Sequence, residues 1–293
     1  MAEIKFNKIQ IGVINASNFV KKYLNDHKLI MQDIVDALQE QVTEHFRPAW
    51  GIDAELKVIH EEGPIMCTEM CSKCTPPPES WWLLILDNSD EAGILGYRDT
   101  TPEGLPLAKV FAETASRYGL PWTVTASHEL LEMLADPGMS LTAFDPTNSP
   151  TEASGRLYAY EICDPCGDDK YTIGKKKIEV ANFVHPTWFQ WFQHSKWSNN
   201  QKTRFTHKND RTVTEPFQLQ PGGQISVLDM LSGSGWYQIF GNEDKIPDRM
   251  RYYMRARVGS RRERRRMVAH GIGKSERGGA GPGPVGPRPG PGS

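Results

Sequence analysis

The stretch Ser127-His128-Glu129-Leu130-Leu131-Glu132-Met133-Leu134-Ala135-Asp136-Pro137 decides how this chain is interpreted. Its spacing predicts a short amphipathic helix. Measured from His128, Glu132 lies roughly 40° and Asp136 roughly 80° around the helix axis, and Glu129 follows at roughly 100°. Apolar side chains fill the rest of the turn. The helix is expected to end at Asp136, because the residue before proline is pushed out of the α region.

One imidazole and three carboxylates therefore share one face of an otherwise apolar helix. Like charges four residues apart destabilise a helix by about a few tenths of a kcal/mol, and a bound cation turns that repulsion into attraction. A histidine followed by a ligand-type residue four positions later is the spacing of helix-borne zinc sites. The alternative is a partly buried helix with an acidic outer face. A second acidic cluster, Glu161–Asp164, favours the metal.

The expected cofactor is one Zn²⁺ ion. A catalytic zinc ion takes three protein ligands and leaves one position for water. His128 can supply a neutral imidazole, and Glu132, one turn further on, supplies an oxygen. We expect Glu161 as the third ligand, with Asp136 and Asp164 as alternatives that the sequence leaves open.

Glu129 is the expected general base. A zinc ion lowers the pKa of its water towards 7, and a nearby carboxylate then takes the proton. Glu129 directly follows the ligand His128 but lies off the line of the ligands. Its carboxylate can therefore reach the water without binding the metal.

Hydrophobic periodicity along the chain predicts a mixed α+β fold. Helical periods cover Ile30–Phe46, which Pro48 should close, and Val124–Asp136, while Pro106–Tyr118 is expected to be partly helical. The aromatic stretch Asn182–Phe192 is read as a structural cap, with a substrate-binding wall as the alternative. Strands are expected at Lys8–Ile14, Ala54–His60, Ser80–Asp87, Ala92–Tyr97, Leu157–Ile162, Gln224–Leu228 and Trp236–Phe240.

Composition and charge exclude some classes of function. The 293 residues carry a net charge of −2, which gives no global reason to bind nucleic acid or membrane. No run approaches the roughly 18 apolar residues of a spanning helix. The start lacks the apolar core of a secretory signal, so we expect a cytoplasmic protein; the other setting, a phage virion, is implied only by the family resemblance given below.

The chain is expected to divide into a metal-binding domain, residues 1–250, and a tail, residues 251–293. The tail begins with an arginine block and continues as glycine and proline, a composition that cannot bury enough surface to fold. We expect this tail to be disordered. Nucleic acid could contact the chain only through its basic part.

Five cysteines form two groups. Cys67, Cys71 and Cys74 have C-x3-C-x2-C spacing, and Cys163 and Cys166 have C-x2-C spacing. Free thiols are the favoured interpretation, and a structural zinc site is the first alternative. The first group also matches the cluster-binding spacing of radical enzymes that use S-adenosylmethionine, but no repeating βα pattern follows it.

These motifs together carry a family resemblance. The chain resembles the zincin metallopeptidases, which are marked by H-E-x-x-H on a helix beside a mixed sheet. It is more closely similar to a group of uncharacterised phage and bacterial proteins over roughly Lys8–Phe240. The shared segments are Ser127–Pro137, Gly96–Pro106, Tyr160–Pro165 and Pro186–Phe189.

The resemblance implies a zincin-like fold, in which a mixed sheet is packed by a backing helix and a metal-binding helix. It implies a peptidase that cleaves a peptide or protein substrate. Two departures stand out: Glu132 replaces the second histidine of the zincin motif, and Arg98 stands where the phage and bacterial group has histidine. The alternative function is therefore a catalytically inactive metal-binding protein of the same fold, structural or regulatory.

Overall fold

The computed structural model describes eight ranges of the chain. No helix within them is both long and apolar enough to cross a membrane. The cysteine group Cys67, Cys71 and Cys74 and the C-terminal segment 251–293 lie outside the described residues. The described ranges are 8–59, 79–89, 94–101, 104–146, 155–195, 203–208, 212–230 and 235–241.

A five-stranded mixed sheet is the centre of the fold. Its spatial order is β2-β1-β3-β5-β4. The first four strands of that order run parallel, and β4 runs antiparallel to β5 at one end of the sheet. The strands are β1 (Ile9–Asn15), β2 (Ala54–Ile59), β3 (Trp81–Leu86), β4 (Gly96–Thr100) and β5 (Pro106–Phe111).

The α-helices pack against one face of this sheet. Alternate strand residues such as Val13 and Leu83 join the main core there, together with helix residues such as Leu38 and Leu130. Residues of the opposite register, Trp82 among them, form a second, smaller cluster. The central strands are thus buried on both faces, which explains their continuous apolar runs. The helices are α1 (Asn18–Asp26), α2 (Met31–Glu40), α3 (Arg47–Trp50), α4 (Ala112–Arg117) and α5 (Trp122–Ala135).

The backing helix is longer than the sequence predicted. A π-helical turn, Gln41–Phe46, joins α2 to α3. Pro48 does not close the helix; it lies directly after the π-helical turn, as the second residue of α3. Gly51, at φ 71°, ends it instead in the left-handed conformation that glycine adopts without steric cost.

A second layer follows α5. A four-stranded sheet has the order β11-β10-β7-β6, and β8 pairs with β9 as a hairpin. The hairpin strand β9 packs against α5, since the backbone N–H of Ala181 donates to Ser127 Oγ at 2.6 Å. These strands are β6 (Thr142–Asp145), β7 (Arg156–Ala159), β8 (Lys170–Ile173), β9 (Ile178–Ala181), β10 (Gln224–Asp229) and β11 (Tyr237–Phe240).

The α+β class predicted from the sequence is confirmed, and the differences are local. The strand expected at Ala92–Tyr97 is observed at Gly96–Thr100, because its pairing with β5 fixes the register. Pro106–Tyr118 contains strand β5 before the short helix α4. In the aromatic stretch, Phe183 and Trp188 are fully buried in the core, which is what a structural cap requires.

Candidate metal centre

Helix α5 carries the site. It starts at Trp122, after Pro121 in the extended conformation, and ends at Asp136 before Pro137. Every one of its residues is buried except His128. Burial of a leucine such as Leu130 contributes about 2 kcal/mol, so packing holds this helix firmly despite its charged face.

His128, Glu132 and Asp164 come together. Nε2 of His128 lies 3.4 Å from Oε1 of Glu132 and 3.4 Å from Oδ1 of Asp164. One potential ligand atom from each of the three residues lies within 4.8 Å of the others. Among the described residues, this is the group of three or more histidine, cysteine or acidic side chains that could hold a metal ion.

Asp164 reaches this group from a 3₁₀ turn, Asp164–Cys166, that is held from two sides. The backbone N–H of Cys163 donates to Oε1 of Glu132 at 3.2 Å, which joins the turn to α5. On the other side, Nε2 of Gln224 donates to Oδ1 of Asp164 at 3.4 Å. The candidate ligand is therefore positioned by both layers of the fold.

The 3₁₀ turn Asp164–Cys166 packs closely, through backbone atoms, against a second turn that contains Gly222 and Gly223. A Cβ atom built on Gly167 would lie 2.6 Å from the carbonyl carbon of Gly222. One built on Gly223 would lie 2.2 Å from the carbonyl oxygen of Pro165. Only glycine allows the two turns to approach this closely.

The other two candidates for the third ligand lie outside the group. Glu161, the expected ligand, accepts a hydrogen bond at Oε2 from the backbone N–H of Ser226 at 3.4 Å. The carboxylate of Asp136 accepts from the backbone N–H groups of Ser140 at 2.9 Å and Leu141 at 3.0 Å. Asp136 thus caps the loop that follows α5.

Glu129 faces the edge strand β4. A Cβ atom built on Gly96 would lie 2.7 Å from Cγ and 2.8 Å from Oε1 of Glu129. The missing side chain at Gly96 therefore makes room for the Glu129 carboxyl group. The expected base lies directly against the backbone at the end of the sheet, and only 3% of it is exposed.

Arg98, on the same strand, is the buried cation of the site. Its Nη2 lies 3.3 Å from Oε2 of Glu132. Its Nη1 donates to the backbone carbonyls of Glu132 and Asp136, both at 3.1 Å. The guanidinium thus binds one side chain and two carbonyls at the C-terminal end of α5.

Electrostatics at the site reflect an excess of buried negative charge. Burial alone lowers the pKa of His128, but Glu132 and Asp164 outweigh it and raise that pKa well above its ordinary value. Burial alone raises the pKa of Glu132, and His128 and Arg98 lower it to about 2. Burial, with the charges of Asp164 and Glu132, raises the pKa of Glu161 to about 7. A cation at His128 would relieve this imbalance.

Cys163 and Cys166, the two cysteines among the described residues, are buried beside the site and form no disulfide with each other. Burial raises the pKa of the Cys163 thiol well above its ordinary value. A buried thiol held in its neutral form is a poor nucleophile and a poor metal ligand.

Sequence reasoning missed two supporting residues, Gly96 and Gln224, and it singled out Arg98 as a departure without predicting its contact with Glu132. Gly96 and Arg98 lie in a segment quoted for the resemblance, but no local pattern links them to Glu129 or Glu132. Gln224 lies in a strand that was predicted, and its contact with Asp164 spans 60 positions of the chain.

Comparison of the chain with protein-family models, with curated proteins and with solved structures found no match. Its function is therefore inferred from the geometry of this site.

Proposed function

We propose that this chain is a zinc-dependent metallopeptidase that hydrolyses peptide bonds with a metal-activated water. The spacing of the ligand atoms carries the proposal: Nε2 of His128 lies 3.4 Å from both Glu132 Oε1 and Asp164 Oδ1. Two ligand atoms that each lie about 2.0–2.1 Å from a tetrahedral zinc ion are separated by about 3.4 Å. The two distances from His128 therefore match those between ligands of a tetrahedral zinc ion, and the ligand atoms of all three residues lie within 4.8 Å of one another.

The donor chemistry supports the same ion. One imidazole and two carboxylates are legitimate zinc ligands, and we assign them to His128, Glu132 and Asp164. When bound, the ion acts as a Lewis acid and lowers the pKa of water towards neutrality. Glu129 is the proposed general base, since its carboxyl group lies one residue from His128 without belonging to the group of ligands.

The architecture supports a zincin-like domain. A mixed sheet, a backing helix formed by α2 and α3, and a site helix α5 beside the end of the sheet are the elements that the resemblance implies. The antiparallel strand β4 lies at that end and contacts both Glu129 and Glu132 through Gly96 and Arg98.

The register of β4 favours an extended peptide as substrate. Phe111 N–H donates to the Leu95 carbonyl at 2.9 Å, and Thr101 N–H donates to the Leu105 carbonyl at 2.7 Å. Hydrogen-bonded pairs alternate along an antiparallel ladder, so the backbone N–H and C=O of Arg98 point away from β5. A peptide strand that adds to this outer side would run past Glu129.

A second candidate function is an inactive metal-binding protein of the same fold. The observation that favours it is burial: the side chains of His128, Glu132 and Asp164 are 19%, 4% and 10% exposed. Such enclosed ligands suit a structural ion, which is closed off by protein. A catalytic ion requires access for substrate.

Glu129→Gln separates the two functions. Zinc content is measured by elemental analysis of protein purified without chelators or metal-affinity resin, and hydrolysis is measured with a peptide library. For a peptidase, we expect the rate to fall about a hundred-fold or more with zinc retained. The matched control is Glu113→Gln, at a partly exposed carboxylate on α4 that is paired with Arg117, which should change neither value.

Gly96→Ala tests the same role by steric means. The added methyl group would meet Cγ of Glu129 at 2.7 Å, so it should displace the base and lower the rate about ten-fold or more without loss of zinc. Hydrolysis that survives both changes would rule out Glu129 as the base. Stoichiometric zinc with no hydrolysis by the unchanged protein would select the structural role.

A further inference from the structure

Arg98 is the residue of the site whose contacts the proposed reaction does not explain. It is a fully charged side chain with 8% of its surface exposed, and burying a charge is costly unless it is paired and hydrogen-bonded. Its contacts with one carboxylate oxygen and two carbonyl oxygens satisfy it. A buried pair of this kind adds little net stability compared with apolar packing. Stability alone therefore does not explain Arg98, and its effect on the Glu132 carboxylate is the other explanation.

The two oxygens of Glu132 have separate partners. Oε2 lies 3.3 Å from Nη2 of Arg98, whereas Oε1 lies 3.4 Å from Nε2 of His128 and accepts from the Cys163 N–H at 3.2 Å. The guanidinium therefore binds the oxygen that faces away from the candidate metal. It leaves the other oxygen directed at His128.

The charge of this pair matters as well. A carboxylate ligand carries a negative charge that makes zinc a weaker Lewis acid than an imidazole ligand does. A guanidinium on the remote oxygen cancels that charge within a few ångströms. Outer partners of metal ligands commonly fix ligand orientation and tune the metal in this way.

We propose that Arg98 is a positioning residue that orients Glu132 by its remote oxygen and makes the Glu132–Arg98 pair an electrically neutral ligand, equivalent to a histidine. The inference rests on the proposed function, because it requires a metal at His128. The competing explanation is that Arg98 only fastens the end of α5 to β4 through the two carbonyls.

The test uses Co²⁺ in place of Zn²⁺ in the full chain, because the cobalt absorption spectrum reports ionisation at the metal without any substrate. In Arg98→Met the site gains one uncompensated negative charge. The pH midpoint of the spectral transition should therefore rise by about one unit or more. Glu132→His leaves the guanidinium uncompensated, so the midpoint should fall. The double variant should return it close to that of the unchanged protein.

Arg156→Met is the matched control. Arg156 pairs with Asp229 at 2.7 Å, with 18% of its side chain exposed, on the second sheet. The Arg156→Met variant should lower the melting temperature and leave the pH midpoint of the cobalt spectrum unchanged. If Arg98→Met does not fold, Arg98→Lys takes its place: it keeps the charge, so the midpoint should stay while metal affinity falls.

The outcomes separate the two proposals. An unchanged protein that binds neither Zn²⁺ nor Co²⁺ overturns both the metallopeptidase and the role of Arg98. Binding of both ions, with the same midpoint in the unchanged protein, Arg98→Met and the double variant, overturns the role of Arg98 alone. That result would assign Arg98 to fastening α5.

Discussion

Two regions of this protein bury histidine, and they treat it in opposite ways. At the site on α5, carboxylates surround His128 and raise its pKa. In a second region, His45 from the π-helical turn lies with His185 and His207 among aromatic rings, and burial lowers the pKa of each of these three.

The second region, here called the histidine stack, is held by ring contacts. The ring centroids of His45 and His207 are 4.5 Å apart, and those of His207 and Phe183 are 5.0 Å apart. Nδ1 of His45 lies 3.0 Å from the hydroxyl oxygen of Tyr171. Nε2 of His185 is buried without a hydrogen-bond partner, which suits a neutral ring.

The difference shows that burial lowers the pKa of a partly buried histidine unless nearby carboxylates outweigh it. In the stack, burial is the largest effect and prevails at His45 even beside Glu40 and Glu44. At the site, Glu132 and Asp164 outweigh burial and raise the pKa of His128.

The largest expected effect concerns the metal itself. His128→Ala should reduce bound zinc from about one ion per chain to background, because it removes one of three protein ligands. His207→Ala, the control from the histidine stack, should leave zinc bound. Elemental analysis after dialysis measures both. An unchanged zinc content in His128→Ala would contradict the assignment of His128 as a zinc ligand, and the proposed difference in metal binding between the two regions would be lost.

The next effect distinguishes the candidates for the third ligand. Asp164→Asn should weaken zinc binding about 100-fold or more, whereas Glu161→Gln should weaken it less, because loss of an outer-sphere group typically costs about 10- to 100-fold. Competition with a chelator of known affinity gives both constants. The reverse order would restore Glu161 as the ligand, as the sequence predicted.

The smallest effect is a pH dependence of stability that originates in the histidine stack. The pKa of His185 is lowered to about 4 and that of His207 to about 3, below the value of about 6.5 for an unfolded chain. As the pH falls below about 6.5, the unfolded state therefore takes up protons first and stability is lost.

Urea unfolding between pH 7 and pH 4 measures this effect. His207→Phe should make the fall in unfolding free energy shallower, since phenylalanine keeps the ring stack and cannot titrate. His27→Gln, at the exposed residue that directly follows α1, is the control and should reproduce the slope of the unchanged protein. Equal slopes in all three would remove the stack as a source of pH sensitivity.

What the sequence could predict follows from the range of the contacts. Helix α5 was predicted with its polar face because helical periodicity is local. The choice between Glu161 and Asp164 depends on the 3₁₀ turn at Asp164–Cys166. This turn is held against β10 by the hydrogen bond from Gln224 to Asp164, a contact that no local sequence pattern predicts. The contact between Arg98 and Glu132 joins residues that are 34 positions apart in the sequence. It can be recognised only in the folded structure, where β4 lies beside α5.

The glycine contacts beneath the Asp164 turn have a consequence for the choice of ion. Gly167 and Gly223 let the Asp164 turn pack against the neighbouring backbone more closely than any side chain would allow, so we expect the proposed ligand set to accommodate a larger ion poorly. Ca²⁺ requires six to eight oxygen ligands at about 2.3–2.6 Å, and rigidity of the site selects against it. In the proposed metal site, the two glycines would therefore restrict the size of the ion without contacting it.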